Sequence, residues 1–346
     1  MDFEELISPE NLIAYYAQSA ASQTNYLGEG LFPRKKQVGL NIDMITGRAG
    51  LPVVLAASVF DANAPIRDRI SIETTKTKMM FFRERMVIGE ELRQNILLAK
   101  NNTVLEAYLK QIFDDTANLI KGARVVNERM SMQLLSSGKI KIDDNGVKKD
   151  YDFRLNKNQF VKPLVSWSDN ENSTPIKDIK IWLKVAKGLG FKLTRAICSS
   201  DVWDNLMDNK SLRENMLVST IVNKESIDIS DADMRAFLKK KTGIDIVEYS
   251  EVYKEKLDGP AVPFLPNGTI TLIPDGPLGN SNFGTTPEEA DLMTGKSSAK
   301  TSIVDTGVAV TNLIIPHPVN VQTIVSAVTL PSFNSIGGDI IIAKVG

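Results

Sequence analysis

Apolar residues recur at helical spacing in two stretches of the N-terminal half of the chain. Residues 9–20 follow Ser8, a candidate N-cap, and begin with a proline at the first helical position, so they predict a short helix. Residues 89–135 keep the spacing without any proline. They predict either one helix of about 65 Å, bent at Gly122, or two helices broken near 101–102 or at Gly122. A helix of the longer kind spans or overruns its own domain.

Between 38 and 86 the pattern changes to β-rich runs and predicts a long two-stranded arm. Glycines separate the first two runs, a break of Asp, Asn and Pro follows, and apolar and polar residues then alternate from residue 70. The predicted turn carries Arg67, Asp68 and Arg69. A two-stranded hairpin is marginally stable alone in water, so this arm requires a neighbour.

Two shorter segments flank these elements. Residues 23–37 have no periodicity and predict an extended segment whose apolar side chains, Phe32 among them, dock on a surface of the same chain or of another. Beyond the long helix, Asn145-Gly146 lies between two strand-like runs and predicts a β-hairpin over 138–155. We expect four lysines on an exposed face of this hairpin: Lys139, Lys141, Lys148 and Lys149.

From Pro175 onward, helices and strands alternate as in α/β arrangements. After residue 280 the chain is strand-rich and shows no helix signal. The predicted elements are a helix over 176–190 ended by a glycine, a strand within 191–200, a helix with Ser200 or Asp201 as its cap, a helix over 230–243 capped by Ser230, a strand within 243–256 and a strand over 269–273.

Composition and charge describe an ordinary globular chain of 346 residues, 42% hydrophobic and 24% charged. Lys plus Arg number 41 against 42 Asp plus Glu, a net charge of −1, so no global field recruits nucleic acid or an anionic membrane. The N-terminus lacks the basic and apolar regions of a signal peptide, and no run approaches the ~18 apolar residues of a membrane span. We expect a soluble protein with no membrane partner.

The scarcity of histidine and cysteine excludes most catalytic chemistry. One histidine, His317, and one cysteine, Cys198, rule out multi-Cys/His zinc sites and internal disulfides, and we expect no metal and no cofactor. His317 lies between two prolines, which is typical of a fixed loop residue, and Cys198 ends an apolar strand, which predicts an inert thiol. The run Gly295-Lys296-Ser297 lacks the first glycine of a phosphate-binding loop. The short basic runs favour solvated faces over a sequence-reading site.

Three features remain that are costly for a monomer and useful in an assembly: an apolar N-terminal arm, a projecting hairpin with a charged tip and a very long helix. The chain resembles the major capsid proteins of tailed double-stranded-DNA phages of the lambda type, the capsid protein E family. The resemblance rests on the order of elements and on two local runs. These are FLPNGTITLIPDGPLG at 264–279 and LPVVLAASVFDANAPIRDRISIETTKTKMMFF at 51–82.

The resemblance implies an α+β fold of the Hong Kong 97 type. The implied segments are an N-terminal arm at 1–37, an E-loop region at 38–88, a P-domain with spine helix and β-hairpin at 89–174, an A-domain at 175–312 and closing P-domain strands at 313–346.

It further implies a head protein that forms hexamers and pentamers of an icosahedral shell around packaged double-stranded DNA. Arg67, Asp68 and Arg69 would lie over the adjacent subunit, the hairpin lysines near a local threefold contact, and Phe32 at a contact between subunits. The expected partners are a separate scaffolding protein, a portal protein and a decoration protein on a noncovalent shell. The protein would reside in the virion and assemble in the host cytoplasm.

Two alternatives stay open at this point. The first is another ring- or tube-forming structural protein, including the shell of an encapsulin-like nanocompartment, which shares this fold and differs in its cargo. The second is an enzyme with an unrecognised carboxylate site, which would show a deep pocket that gathers acids with His317.

Overall fold

A computed structural model describes most of the chain, which forms two compact units, each discontinuous in sequence. The first unit comprises Met1–Asp43, Lys76–Arg129 and Asn280–Ser332, and the second Met44–Thr75, Met130–Gly279 and Phe333–Gly346. The five predicted segments do not correspond one to one with these units, and that division stays a prediction. The described residues are 3–18, 25–47, 72–99, 102–219, 229–295, 299–335 and 337–346.

Helices and strands alternate irregularly along the described residues, as in an α+β fold. The helices are α1 (Phe3–Leu6), α2 (Pro9–Gln18), α3 (Leu27–Leu31), α4 (Glu90–Leu98), α5 (Asn102–Ser137), α6 (Pro175–Leu189), α7 (Ser200–Asp208), α8 (Lys210–Ser219), α9 (Asp231–Thr242) and α10 (Pro287–Thr294). A 3-10 turn covers Lys157–Gln159.

The strands are short except near the C-terminus. They are β1 (Arg34–Lys36), β2 (Asn41–Gly47), β3 (Ile72–Lys78), β4 (Met80–Ile88), β5 (Lys139–Asp144), β6 (Val147–Asp152), β7 (Phe160–Val161), β8 (Arg195–Cys198), β9 (Asp245–Glu248), β10 (Val252–Lys254), β11 (Ala261–Pro263), β12 (Thr269–Ile273), β13 (Gly279–Phe283), β14 (Lys300–Val304), β15 (Val308–Pro316), β16 (Val319–Phe333) and β17 (Ile341–Lys344).

The first unit is built on a mixed sheet centred on β16. Among the described residues the strand order is β1-β13-β16-β15-β14, and β4 also pairs with β16 in antiparallel register. Helices α2 and α5 cover this sheet through Tyr16 and Ile120, which are buried against Val310 and Val325. Apolar burial on one face of each element therefore holds the unit together.

The second unit contains a five-stranded sheet in the order β7-β17-β12-β8-β9. Its central strand β12 is buried along its whole length, as expected for a strand covered on both faces. The rings of Trp167 and Trp182 stack with centroids 5.5 Å apart, and the Trp167 Nε1–H donates to Asp178 at 2.9 Å. The described residues of this unit also include the antiparallel pairs β5–β6 and β10–β11.

Local signals correctly predicted several element ends. The backbone N–H of Asn11 donates to the Ser8 hydroxyl at 3.4 Å at the start of α2, and Ser230 caps α9 in the same way. Gly190 ends α6 with φ 97°, in the left-handed region that favours glycine. At the hairpin turn, Asn145 and Gly146 both have positive φ, which a type I′ turn requires.

The long periodic stretch is two helices, which decides between the two alternatives. Helix α4 ends at Leu98 and α5 begins at Asn102, whereas Gly122 lies inside α5 without ending it. The 36 residues of α5 extend about 54 Å at 1.5 Å per residue. No helix in the described ranges is long and apolar enough to cross a membrane.

Other predictions were wrong. Residues 27–31 of the supposedly extended segment form α3, and residues 287–294 form α10, where no helix was expected. The stretch read as one helix from residue 200 divides at Asn209, whose side chain accepts from the backbone N–H of Leu212 at 3.0 Å and starts α8. The single strand expected within 243–256 is two strands, β9 and β10.

We predict that Ile120→Ala lowers the free energy of unfolding of the subunit by about 2–5 kcal/mol, because it leaves a cavity at a fully buried position of α5. Chemical denaturation followed by circular dichroism measures this. Val104→Ala on the same helix is the matched control, since Val104 is 45% exposed and should lose under about 1 kcal/mol. Equal losses in the two variants would contradict the placement of the Ile120 face in the core.

Candidate assembly surfaces

The N-terminal arm is bound to its own unit by a network of ion pairs. Glu29 of α3 accepts hydrogen bonds from Arg124 of α5 through both carboxylate oxygens, at 2.8 and 2.9 Å. Arg34 of β1 pairs with Glu29 at 2.6 Å and with Asp305, in the turn between β14 and β15, at 2.7 Å. Bidentate guanidinium–carboxylate contacts of this kind fix geometry as well as charge.

The charge state of Glu29 follows from these contacts. Burial alone would raise the pKa of the Glu29 carboxyl, but hydrogen bonds from Arg124 and Arg34 outweigh it and lower that pKa below its ordinary value. The hydrogen bond to Glu29 raises the pKa of the Arg124 guanidinium in turn. Glu29 and Arg124 are therefore both charged at neutral pH.

Strand β1 continues this attachment. It runs parallel to β13, and Lys36 donates to Glu289 of α10 at 2.6 Å and to the carbonyl of Gly284 at 3.0 Å. Phe32 lies just before β1 and is fully buried by its own chain. It is a core residue of this unit and offers no surface to a neighbour, so it leaves the set of candidate contacts between subunits. The N-terminal arm is covered in cis at these positions.

The predicted two-stranded arm is shorter in its second strand than expected. Strands β2 and β3 pair with each other in a separate two-stranded sheet. Residues 80–88, assigned to the arm from sequence, instead form β4 and pair with β16 from Met80 opposite Thr329 to Ile88 opposite Val321. Arg67, Asp68 and Arg69 at the predicted tip lie outside the described residues.

The β5–β6 hairpin forms as predicted, but it is not a basic face. Its register places Lys139, Lys141 and Asp143 opposite Asp152, Asp150 and Lys148. On this face each of three lysines is therefore opposite an aspartate, with ion pairs Lys139–Asp152 at 2.7 Å and Lys148–Asp143 at 3.1 Å.

Lys149 lies on the other face of the hairpin. It is opposite Ile142, and its ammonium lies 5.9 Å from the centroid of the Tyr151 ring. The expectation that all four lysines share one exposed face was wrong for Lys149, because alternation along β6 turns neighbouring residues to opposite faces.

An apolar corner is exposed where α4 ends and α5 begins. Leu97 is 60% exposed, Leu98 73% and Val104 45%. Farther along α5, Ile112 and Ile120 are buried by the chain. The middle of α5 thus packs in the core of the first unit, whereas its start presents apolar surface. The periodicity of the sequence did not distinguish these buried apolar positions from the exposed ones.

Cys198 and His317, the two candidate catalytic residues, lie in different environments. Cys198 is buried at the end of β8, and burial raises the pKa of its thiol, which disfavours the reactive thiolate. His317 is exposed in the turn between β15 and β16. Among the described residues no group of three or more His, Cys, Asp or Glu side chains could hold a metal ion.

The mixed sheet, the paired strands β2 and β3, the long helix α5 and the β5–β6 hairpin together define a subunit of the Hong Kong 97-type capsid fold. The chain belongs to the family of phage major capsid protein E, whose family model matches residues 10–338. It is a shell-forming head protein of a phage.

Solved structures agree with this fold. A protein provisionally assigned as the capsid protein of an E. coli CFT073 prophage has a TM-score of 0.60 at 16% identity, over 98% of this chain and 99% of that one. A phage-related protein from Bordetella bronchiseptica RB50 gives 0.55 at 13% identity, over 98% and 97%. The capsid of cyanophage A-1(L) gives 0.51 at 12% identity, over 92% and 91%. A comparison with curated proteins found no match.

We predict that Glu29→Gln lowers the free energy of unfolding by about 2 kcal/mol, because two partly buried arginines lose a charged acceptor. The pKa of Glu29 is lower in the folded protein than the ordinary value of about 4.3. Ionised Glu29 therefore stabilises the fold above that pH, and this contribution is lost as the pH falls through the folded-state pKa. Denaturant unfolding at a series of acidic pH values should show that the free energy of unfolding falls less steeply with decreasing pH in the variant than in the wild type.

Glu84→Gln provides the matched control, since Glu84 is an exposed carboxylate of β4 in the same unit. It should change stability by under about 0.5 kcal/mol. If Glu29→Gln behaved like this control, the network would not hold the arm.

Proposed function

We propose that the chain assembles into hexamers and pentamers that close an icosahedral shell around packaged double-stranded DNA. The family match over residues 10–338 is the observation that carries the proposal, because it covers nearly the whole chain and names a head protein. Contacts between unlike surfaces of identical subunits close into rings when the rotation closes, and many modest contacts then add up.

The contacts between subunits involve three surfaces in this proposal. The tip residues Arg67, Asp68 and Arg69 lie over the adjacent subunit. The hairpin meets its neighbours near a local threefold axis through Lys139, Lys141 and Lys148, each opposite an aspartate, and through Lys149 on its other face. The apolar corner of Leu97, Leu98 and Val104 is covered by a second copy, which would remove its apolar surface from water.

The remaining parts of the proposal concern partners and place. A separate scaffolding protein guides assembly, a portal protein occupies one vertex, and a decoration protein reinforces a noncovalent shell. The subunit performs no catalytic step and needs no cofactor. It assembles in the host cytoplasm and resides in the virion. The family match is to phage capsid proteins, which favours a packaged genome over the enclosed enzyme of a nanocompartment.

We predict that Arg67→Glu combined with Arg69→Glu reduces the yield of closed shells at least about tenfold. The negative side chains would be repelled by the surface of the adjacent subunit that the arginines contact in the proposal. Negative-stain microscopy and sedimentation of the assembled material measure the yield. The control, Arg67→Lys with Arg69→Lys, keeps both charges and should assemble. Normal shells from the charge-reversed protein would reject the role of the tip.

We also predict that Leu97→Asn with Leu98→Asn impairs assembly while changing the stability of the isolated subunit by under about 1 kcal/mol, since both side chains are largely exposed. The readouts are particle yield and chemical denaturation of the same preparation. Leu257→Asn is the control, a single change at another exposed leucine outside the proposed surfaces. Unchanged particle yield for the double variant would show that the corner is not an interface.

A further inference from the structure

Helix α6 carries a stripe of lysines. Lys177, Lys180, Lys184 and Lys187 are spaced by three, four and three residues, and all four are exposed. At 100° per residue they fall within an arc of about 80°, and at 1.5 Å per residue they extend about 15 Å. These four residues are called the α6 lysine stripe below.

The opposite side of α6 packs in the core, which fixes the orientation of the helix. Ile179, Trp182 and Ala186 are buried in the core of the second unit. The acidic residue of the helix, Asp178, is also buried and accepts the hydrogen bond from Trp167. The carboxylate is therefore turned away from the lysines, and the exposed charge of the helix is positive along its whole length.

The charges of the stripe are not ion-paired among the described residues. None of its four lysines makes an ion pair there, whereas Lys139 and Lys148 on the β5–β6 hairpin each pair with an aspartate. Exposed charges on α5 likewise alternate in sign, as in Glu106, Lys110, Asp114 and Lys121. A single-sign face on a chain with net charge −1 is a local feature that repels its own members and gains from an external polyanion.

A further lysine adds to this positive surface. Lys157 lines an open groove beside α6 with Phe160, Val185 and Gly188. The groove lies next to β7, an edge strand of the five-stranded sheet. The positive surface is thus wider than one helix face.

We propose that the α6 lysine stripe binds the phosphate backbone of double-stranded DNA without reading sequence. Duplex DNA carries one negative charge per ~1.7 Å of axis, so about nine phosphate charges lie along a 15 Å face. Four lysines that each neutralise one phosphate would release counterions, giving a plot of log affinity against log salt with a slope of about −3.6 from this face. The inference rests on the proposed function for the source of the DNA, which is the packaged genome.

The test compares full-length subunits carrying four substitutions each. In the stripe variant, Lys177, Lys180, Lys184 and Lys187 are changed to Gln, which keeps helix propensity. In the control variant, four other exposed lysines of the same unit are changed to Gln, so that net charge falls equally: Lys210, Lys239, Lys254 and Lys256.

Binding of a fluorescent random-sequence duplex is measured by anisotropy between 50 and 200 mM salt. The stripe variant should bind at least about tenfold more weakly at the low-salt end and lose about 3–4 from the magnitude of the slope, whereas the control should keep the wild-type slope within about one. A third variant with arginine at the four stripe positions should retain binding, which would tie binding to the positive charge at these positions. Equal slopes for the stripe and control variants would overturn the proposal.

Competition with poly-glutamate separates DNA from an acidic protein segment. If the stripe substitutions abolished binding of poly-glutamate but left duplex binding unchanged, the stripe would be a protein-docking site and the proposal would be wrong. Microscopy of the same preparations keeps the two proposals distinguishable. Closed shells without any stripe-dependent DNA binding would refute this inference alone, and absence of shells with stripe-dependent binding would refute only the proposed assembly.

Discussion

Glu29 is the residue on which the arrangement of the first unit depends. One carboxylate accepts from two guanidinium groups, Arg124 in the long helix and Arg34 in the strand that follows, and Arg34 reaches onward to Asp305. These ion pairs hold together three regions that lie up to 276 positions apart in sequence, from Glu29 to Asp305. Partly buried charges contribute little net energy because they lose hydration, but removing one leaves its partners unpaired, so such a network penalises wrong arrangements strongly.

Sequence reasoning succeeded where the signal is local. Ser8 and Ser230 are N-caps and Gly190 is a helix end because capping depends on a few adjacent backbone groups. It failed where distant partners decide. Residues 80–88 follow the alternating start of the predicted arm strand and were assigned to that strand, yet β4 pairs with β16, which lies some 240 residues further along the chain. Helix α10 is a different case, since Thr286, Pro287 and the glycine after its last turn were readable start and stop signals that went unused.

The assembly surfaces divide in the same way. The pattern of the chain gave residues 67–69 as a turn, and the family resemblance supplied their role as a contact, which no periodicity could have identified. The turn signal was enough to predict the hairpin and its lysines. The aspartates opposite three of these lysines follow only from the register of the two strands. The surface expected to be basic is therefore electrically neutral. The α6 lysine stripe was readable from its spacing of three, four and three. Its spacing does not tell whether an acidic side chain lies beside the lysines. The only acidic residue of α6, Asp178, is buried, so the helix itself provides none.

The parallel pairing of β1 with β13 has a consequence for synthesis on the ribosome. Lys36 is opposite Phe283, so the N-terminal strand waits for a partner made 247 residues later. At 5–20 residues per second that delay is roughly 12–50 s. A nascent polypeptide therefore cannot complete the sheet of the first unit until nearly the whole chain has been made.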